Sequence, residues 1–319
     1  MKVNFFYNLK KIFNKLEVFK LRRHAIDSNL FLLNKKCNQV KSILLYFPDY
    51  EMMHFGDHLF FEPLARHLRS NGYKLIISPI NAMEFYFQDL GYRIGSDSSL
   101  ENIDLIITKV EFIGALKKIE SQILFIDTAS SKIKLPLCND MIEKVSEFLG
   151  VQYVDYNPVP SYSYVVNEGN LSFLGENNNY IIFNNYIDSG SIRSGSTHQN
   201  SIIDFVKNLK DRTGFKVVHT GSNNDKNCDS RVYDFVDIDI RGKTSIKDLF
   251  TLCSLNNVIY NVSFDGFQMH LFFIQNKKSF VLFRGRLIKK NEEYIKKYVN
   301  PPFLHDNPRS LIEYIETFA

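Results

Sequence analysis

The 319-residue chain contains no tryptophan and only four cysteines. Cys37, Cys138, Cys228 and Cys253 are scattered, with no C-x-x-C pair, so neither a zinc framework nor a disulfide scaffold follows from them. Reduced thiols in a cytosol are the simplest reading. No apolar run reaches the length of about 18 residues that a membrane-spanning helix needs. No uninterrupted apolar core followed by small residues stands at the N-terminus, so no signal peptide is expected. The sequons at Asn170 and Asn261 then carry little meaning. No G-x-G-x-x-G follows the first strand-like segment, which disfavours a dehydrogenase. There is also no internal repeat of short fixed period.

A net excess of positive charge is confined to one segment. The net charge is +4, yet residues 1–36 hold nine Lys or Arg against Glu17 and Asp27, a balance of +7 that leaves −3 for the remainder. Basic character confined in this way argues against a nucleic-acid-binding surface. Phe5, Leu9, Ile12, Phe13, Leu16 and Phe19 share one face of a helix predicted over 2–23, and Lys10, Lys11, Asn14 and Lys15 lie off it. Such a face suits either an anionic membrane surface or the protein's own domain.

Hydrophobic residues make up 45% of the chain, with 28 Phe and 17 Tyr taking over aromatic packing. That is ample for two cores, and the length fits two domains of ordinary size. Strand-like and helix-like segments alternate. Lys41–Phe47 reads as a strand and 58–70 as a helix, with Pro63 in its early part and Asn71-Gly72 as its stop. Lys74–Ser78, Ile103–Thr108 and Ile123–Ile126 read as strands; Ala82–Leu90 and Met141–Leu149 read as helices. Over 154–179 the periodicity is lost among Pro, Ser, Asn, Gly and Tyr, the mark of a connection between domains. The alternation then restarts, with strands at Tyr180–Tyr186, Phe215–His219 and Ile238–Arg241 and helices at Ser201–Lys210 and Ser245–Leu255. The charged tail over 286–319 reads as helical, broken by Pro301, Pro302 and Pro308. This order implies an α/β protein with doubly wound parallel sheets. The expected organisation is an extension over 1–36, a domain over 37–160, a connection over 161–179 and a second domain over 180–319.

The stretch Asn256–Gly285 organises the second half. Val258–Val262 is a buried-strand run, Asp265-Gly266 opens a helix carrying Phe267, His270, Leu271 and Ile274 at helical spacing, and Phe280–Phe283 is the next strand. A strand feeding straight into a helix aims free N–H groups and the positive helix end out of the sheet edge, a geometry that suits a phosphate. Asp265 suits a sugar or ribose hydroxyl instead, or the helix cap.

Other residues carry chemistry in the same way. Asp57, in the loop after the first strand, is placed either as a general base or as a helix cap. Arg193, in a Gly/Ser-rich loop, offers a cation for a diphosphate or is a solvated arginine. Gly221, Ser222 and Thr244 stand at strand ends or helix starts on the same predicted sheet edge, fit for close backbone approach and hydroxyl contact to a nucleotide or for ordinary turns. His270 lies one helical turn from Gly266, in reach of a phosphate or sugar hydroxyl. Asp237-Ile238-Asp239 imitates a D-x-D metal site, but its alternation with Val236 and Ile240 marks a half-exposed strand. His54, Asp57 and His58 lack an evident fourth metal ligand.

HFGDHLFFEPLARHLRSNGYKLIIS resembles the N-terminal motif of glycosyltransferase family 9, the heptosyltransferases. VVHTGSNNDKN and RGKTSIKDLFTLCSLNNVIYNVSFDGFQMHLFFIQNKKSFVLFRG resemble that family's C-terminal domain, where a strand ends in Asp and a His follows five residues later. Asp265 and His270 keep that spacing; the glycine is shifted one place forward, to Gly266. The resemblance covers roughly 41–285. It implies a GT-B fold, with two Rossmann-like doubly wound domains facing a central cleft. It also implies an inverting, metal-independent transfer of a sugar from a nucleotide-sugar donor, with no cofactor. Asp57 would be the catalytic base. Arg193, Gly221, Ser222, Thr244, Asp265, Gly266 and His270 would bind the donor. The acceptor would be a lipid-linked bacterial surface glycan such as lipopolysaccharide core, O-antigen or capsule, met by a cytoplasmic enzyme at the inner face of the membrane. Two other classes remain open: a nucleotide-sugar 2-epimerase of the same fold, and a non-catalytic scaffold of glycan assembly.

Overall fold

The computed structural model describes, besides isolated positions, residues 30–34, 39–47, 55–95, 103–116, 119–126, 137–156, 177–185, 197–264, 266–275, 277–282 and 303–305. Most of the helix predicted over 2–23 lies outside these residues, as do Arg193, Asp265 and most of the tail. The chain divides into two compact units, Met1–Val159 and Pro160–Ala319.

In the first unit, strands β1 (Leu30–Leu33), β2 (Ser42–Tyr46), β3 (Lys74–Ser78), β4 (Arg93–Ile94), β5 (Leu105–Lys109) and β6 (Gln122–Ile126) form one sheet in the order β1-β6-β5-β2-β3-β4. β2, β3, β5 and β6 are runs of Ile and Leu that are buried along nearly their whole length, as strands covered on both faces must be. All neighbours run parallel except β1, which pairs antiparallel with β6. That strand corrects two expectations. The sheet is not wholly parallel, and Leu30–Leu33, read as part of a basic extension, is a buried edge strand.

The helices are α1 (Phe55–Ser70), α2 (Glu84–Asp89, preceded by a 3-10 turn Asn81–Met83), α3 (Ile113–Leu116) and α4 (Leu137–Leu149). α1 starts three residues earlier than its periodicity suggests, so Pro63 falls in its interior and Gly56-Asp57 belongs to its first turn. It ends as expected. Gly72 takes φ 83°, its N–H reaches the Arg69 carbonyl (3.1 Å) and Tyr73 N–H reaches the Leu68 carbonyl (3.3 Å), a left-handed cap that only glycine accepts without strain. Gly150 closes α4 in the same manner.

In the second unit the strands are β7 (Tyr180–Phe183), β8 (Lys216–His219), β9 (Ile238–Asp239), β10 (Val258–Phe264), β11 (Lys278–Leu282) and β12 (Phe303–His305). Their order is β12-β11-β10-β7-β8-β9, parallel throughout. β12 lies between Pro302 and Pro308, where the tail is expected to break; the segments read as helical on either side of it lie outside the described residues. The helices are α5 (Thr197–Thr213), α6 (Asn223–Cys228), α7 (Ile246–Ser254) and α8 (Phe267–Ile274). Ile202, Phe205, Val206 and Leu209 recur down one face of α5 and meet Ile181, Val217 and Phe280 in the core. Both units are thus doubly wound α/β sheets.

Candidate functional site

A doubly wound sheet opens a crevice beyond the carboxyl ends of the strands, where the winding reverses direction. In the first unit the chain winds from β2 to β3 and β4 on one side and to β5 and β6 on the other, so the crevice lies beyond β2 and β5. Thr108 Oγ1 donates to the Tyr46 carbonyl (2.5 Å), tying the two strand ends together. Asp57 enters from the first turn of α1, and Lys109 is the last residue of β5. Lys109 Nζ lies 2.9 Å from Asp57 Oδ2, with their side chains 7% and 24% exposed. The ammonium and the positive end of α1 both stabilise negative charge at Asp57 while leaving the carboxylate within reach of solvent.

Lys109 is a partner of Asp57 that sequence reasoning missed. Its signal was weak: a lone cation closing an apolar strand. The pair also bears on the metal alternatives. His54 lies outside the described residues, and His58 is buried with Nε2 accepting the Ile80 N–H at 3.3 Å. Among the described residues no group of three or more His, Cys, Asp or Glu is placed to hold a metal ion. Asp237 pairs with Lys210 (2.8 Å) and accepts the Val217 N–H (2.7 Å); Asp239 pairs with the buried Arg241 (2.7 Å).

In the second unit the winding reverses between β7 and β10, so the crevice lies beyond their carboxyl ends. The segment after β10, with Gly266 and then α8, borders it; Asp265 and the Arg193 loop lie outside the described residues. A Cβ on Gly266 would meet nothing nearer than the Phe264 carbonyl oxygen at 4.0 Å, and His270 is half-buried one turn along α8. Gly221 and Ser222 follow β8. Ser222 caps α6: its Oγ accepts the Asp225 N–H (3.1 Å) and Asp225 Oδ2 accepts the Ser222 N–H (2.7 Å). A Cβ on Gly221 would lie 2.8 Å from Asp225 Oδ2, so the same cap explains this glycine. Thr244 is half-buried in the turn before α7, whose N-cap is Ser245.

Beside this edge lies a buried polar cluster that the sequence did not reveal, because its members are far apart in the chain. Asp229 accepts hydrogen bonds from Asn185 Nδ2 (2.9 Å), Gln199 Nε2 (2.9 Å), Arg231 Nε (2.7 Å) and Tyr233 Oη (2.6 Å). Asn185 Oδ1 then accepts from His219 Nε2 at 2.9 Å, which assigns the ring proton to Nε2. The fully buried Arg241 donates to the carbonyls of Asp229 and Arg231, the latter at 2.9 Å, and so holds this segment against β9.

No family model matches the sequence, and no curated protein matches it. Solved structures do. The crystal structure of glycosyl transferase family 9 from Veillonella parvula DSM 2008 is similar at 14% identity and a TM-score of 0.58, covering 89% of this chain and 98% of that one. The E. coli heptosyltransferase WaaC with ADP is similar at 11% identity and a TM-score of 0.55, over 87% of this chain and 100% of that one. The UDP-GlcNAc 2-epimerase from Methanocaldococcus jannaschii reaches a TM-score of 0.51 at 10% identity, over 86% and 92%. The fold expected from the sequence, GT-B with two Rossmann-like units, is the fold these structures share with this chain.

Proposed function

We propose that the protein is a glycosyltransferase that moves a sugar, with inversion and without a bound metal, from a nucleotide-sugar to a hydroxyl of a lipid-linked surface glycan. The observation that carries the reading is the Asp57–Lys109 pair at the reversal point of the first sheet. A half-exposed carboxylate there can take the acceptor hydroxyl's proton as its oxygen attacks the anomeric carbon. Lys109 holds that carboxylate in one orientation. In the second unit the first turn of α8 offers backbone N–H groups to the donor's phosphates. Asp265 would meet a sugar or ribose hydroxyl, Arg193 would neutralise the leaving diphosphate, and His270, Thr244, Gly221 and Ser222 would complete the donor site. The likeness in fold to heptosyltransferases supports the same reading.

A second reading, a nucleotide-sugar 2-epimerase, is favoured by the likeness to the archaeal epimerase. The two differ in what they need: an epimerase inverts C2 of the nucleotide-sugar with no acceptor present, and yields either the epimeric nucleotide-sugar or, where water cleaves the glycosyl bond, the free sugar and the nucleoside diphosphate.

The test is thermal stability against a panel of nucleotides and nucleotide-sugars without metal. A ligand that binds only the folded protein raises the melting temperature with the logarithm of its concentration over its dissociation constant. A selective rise for one nucleotide family is expected, followed by transfer activity that survives a chelator. No rise with any member counts against a donor site. Activity lost in chelator and restored by manganese counts against the metal-free mechanism.

The basic N-terminal segment would hold the enzyme at an anionic membrane surface. Among the described residues no helix is long and apolar enough to cross a membrane, while Leu16 and Phe19 are exposed. Because β1 begins at Leu30, the deletion that tests this must stop before it. Removing residues 1–28 is expected to reduce recovery with anionic vesicles while leaving the melting temperature of the rest unchanged. Unchanged recovery rejects the anchor.

A further inference from the structure

Asn261 and Ser263 in β10 and Ser279 in β11 are buried polar residues in inner strands of a parallel sheet. Strands covered on both faces are normally apolar, because a buried polar group without a partner is costly. Here every one has a partner. Asn261 Nδ2 donates to Ser263 Oγ (3.1 Å) and to Ser279 Oγ, and Asn261 Oδ1 accepts from Gln268 Nε2 at 2.7 Å. Gln268 Oε1 in turn accepts from Thr220 Oγ1 at 2.6 Å. The result is a continuous hydrogen-bonded chain from the residue after β8, whose hydroxyl also lies 3.1 Å from the Phe183 carbonyl, through the first turn of α8 into β10 and β11. Asn184 Nδ2 donates to the Thr220 carbonyl at 3.2 Å, which adds the segment after β7.

Apolar residues of similar size would fill this space without the need for matched partners. What they would not supply is a specific tie between separate segments. The chain ties together the segments after β7 and β8 and the first turn of α8, and all three border the crevice of the second unit. Gln268 is the link, since its two amide atoms face opposite ends of the chain.

We propose that Thr220 and Gln268 are positioning residues for the nucleotide-sugar: their hydrogen bond sets the place of the first turn of α8, and so the aim of its backbone N–H groups at the donor's diphosphate. This rests on the glycosyl-transfer reading. The residues need not touch the donor, so their removal weakens donor binding through α8 and leaves the acceptor side alone.

The experiment compares wild type with Thr220→Val, which keeps the shape and loses the hydroxyl, Thr220→Ser, which keeps the hydroxyl, and Gln268→Met. The probes are ADP, UDP and GDP by calorimetry, with donor KM, acceptor KM and kcat in the transfer assay. Thr220→Val is expected to weaken binding of the preferred diphosphate about tenfold, the scale of one lost buried hydrogen bond, and Gln268→Met, which loses two, at least as much; donor KM is expected to rise alike in both. Thr220→Ser and the acceptor KM are expected to stay at wild-type values. Wild-type binding in Thr220→Val and Gln268→Met overturns the positioning role alone. Wild type that binds none of the three diphosphates overturns the glycosyl-transfer reading and this role with it. If both variants fail to fold, hydrogen exchange in wild type decides: the amides of 266–270 must slow when the diphosphate is added, and unchanged exchange rejects the proposal.

Discussion

Asp57→Asn is expected to lower the rate of sugar transfer by roughly 10²–10⁴-fold, the usual contribution of a positioned general base. Asparagine has nearly the same shape and keeps an oxygen facing Lys109 Nζ, so the fold and the diphosphate affinity of the second unit are expected to persist. The amide cannot take a proton from the acceptor hydroxyl. The loss should therefore fall on kcat, with donor KM little changed. A purely structural Asp57, stabilising the first turn of α1, predicts a different pattern. Stability would then fall by up to about 1 kcal/mol, the scale of a lost negative charge in a first helical turn, and transfer by the folded protein would be near normal. Measuring the melting temperature and single-turnover transfer on one preparation separates the two. Near-normal transfer with intact folding would remove Asp57 as the base.

The second large effect concerns folding. Asp229→Asn is expected to destabilise the protein by about 3 kcal/mol at neutral pH, the scale of breaking a buried, multiply hydrogen-bonded charge. The Asp229 side chain is 1% exposed and every donor around it aims at a carboxylate oxygen. An amide turns one of those oxygens into a donor facing donors. The pH dependence gives an independent check. Burial alone would raise the Asp229 pKa, but hydrogen bonds from Arg231, Tyr233 and Asn185 outweigh it and hold the carboxyl below the usual carboxylate range. A depressed folded-state pKa gives stability that is present above the unfolded value, about 4, and lost as pH falls through the folded value. The gap between wild type and variant is expected to stay constant from about pH 8 to 5 and to close below about 4.

His219 acts in a separate window. Burial, then the nearby charge of Arg241, lowers its pKa to about 3. Between roughly 6.5 and that value the unfolded chain takes up a proton that the folded chain refuses, so stability falls with pH there. Asp229 itself raises the His219 pKa, so removing its charge only lowers that pKa further; down to about pH 4 the loss is common to wild type and Asp229→Asn and leaves the gap between them untouched. Denaturant unfolding at several pH values measures both. A gap that widens in acid would contradict the assigned charge state of Asp229.

Much of the architecture was legible because it depends on local periodicity. Lys74–Ser78 is a strand from its apolar run bounded by turn residues, and Gly72 ends α1 because it is the residue that takes the left-handed backbone there. The alternation of strand and helix made two doubly wound sheets the natural reading. The short edge strands were not legible. Leu30–Leu33 and Phe303–His305 are too brief to show a period, and each exists only because a longer strand offers it a free edge. The start of α1 was misplaced for a related reason: PDYEMMHF carries no helical pattern, so Gly56-Asp57 read as loop.

What the sequence determined by itself is the order of the elements, the fold class and the chemical type of residue near each strand end, because these follow from spacing along the chain. The tertiary structure decided which of those residues meet. Asp57 and Lys109 are 52 positions apart and become partners only when β2 and β5 lie side by side. Thr220 and Gln268, 48 apart, and Asn185 and Asp229, 44 apart, are joined by the same winding. A polar side chain in an apolar run reads as an isolated exception until the parallel sheet brings its partner alongside. Hydrogen bonding acts over about 3 Å of space and is blind to separation in sequence.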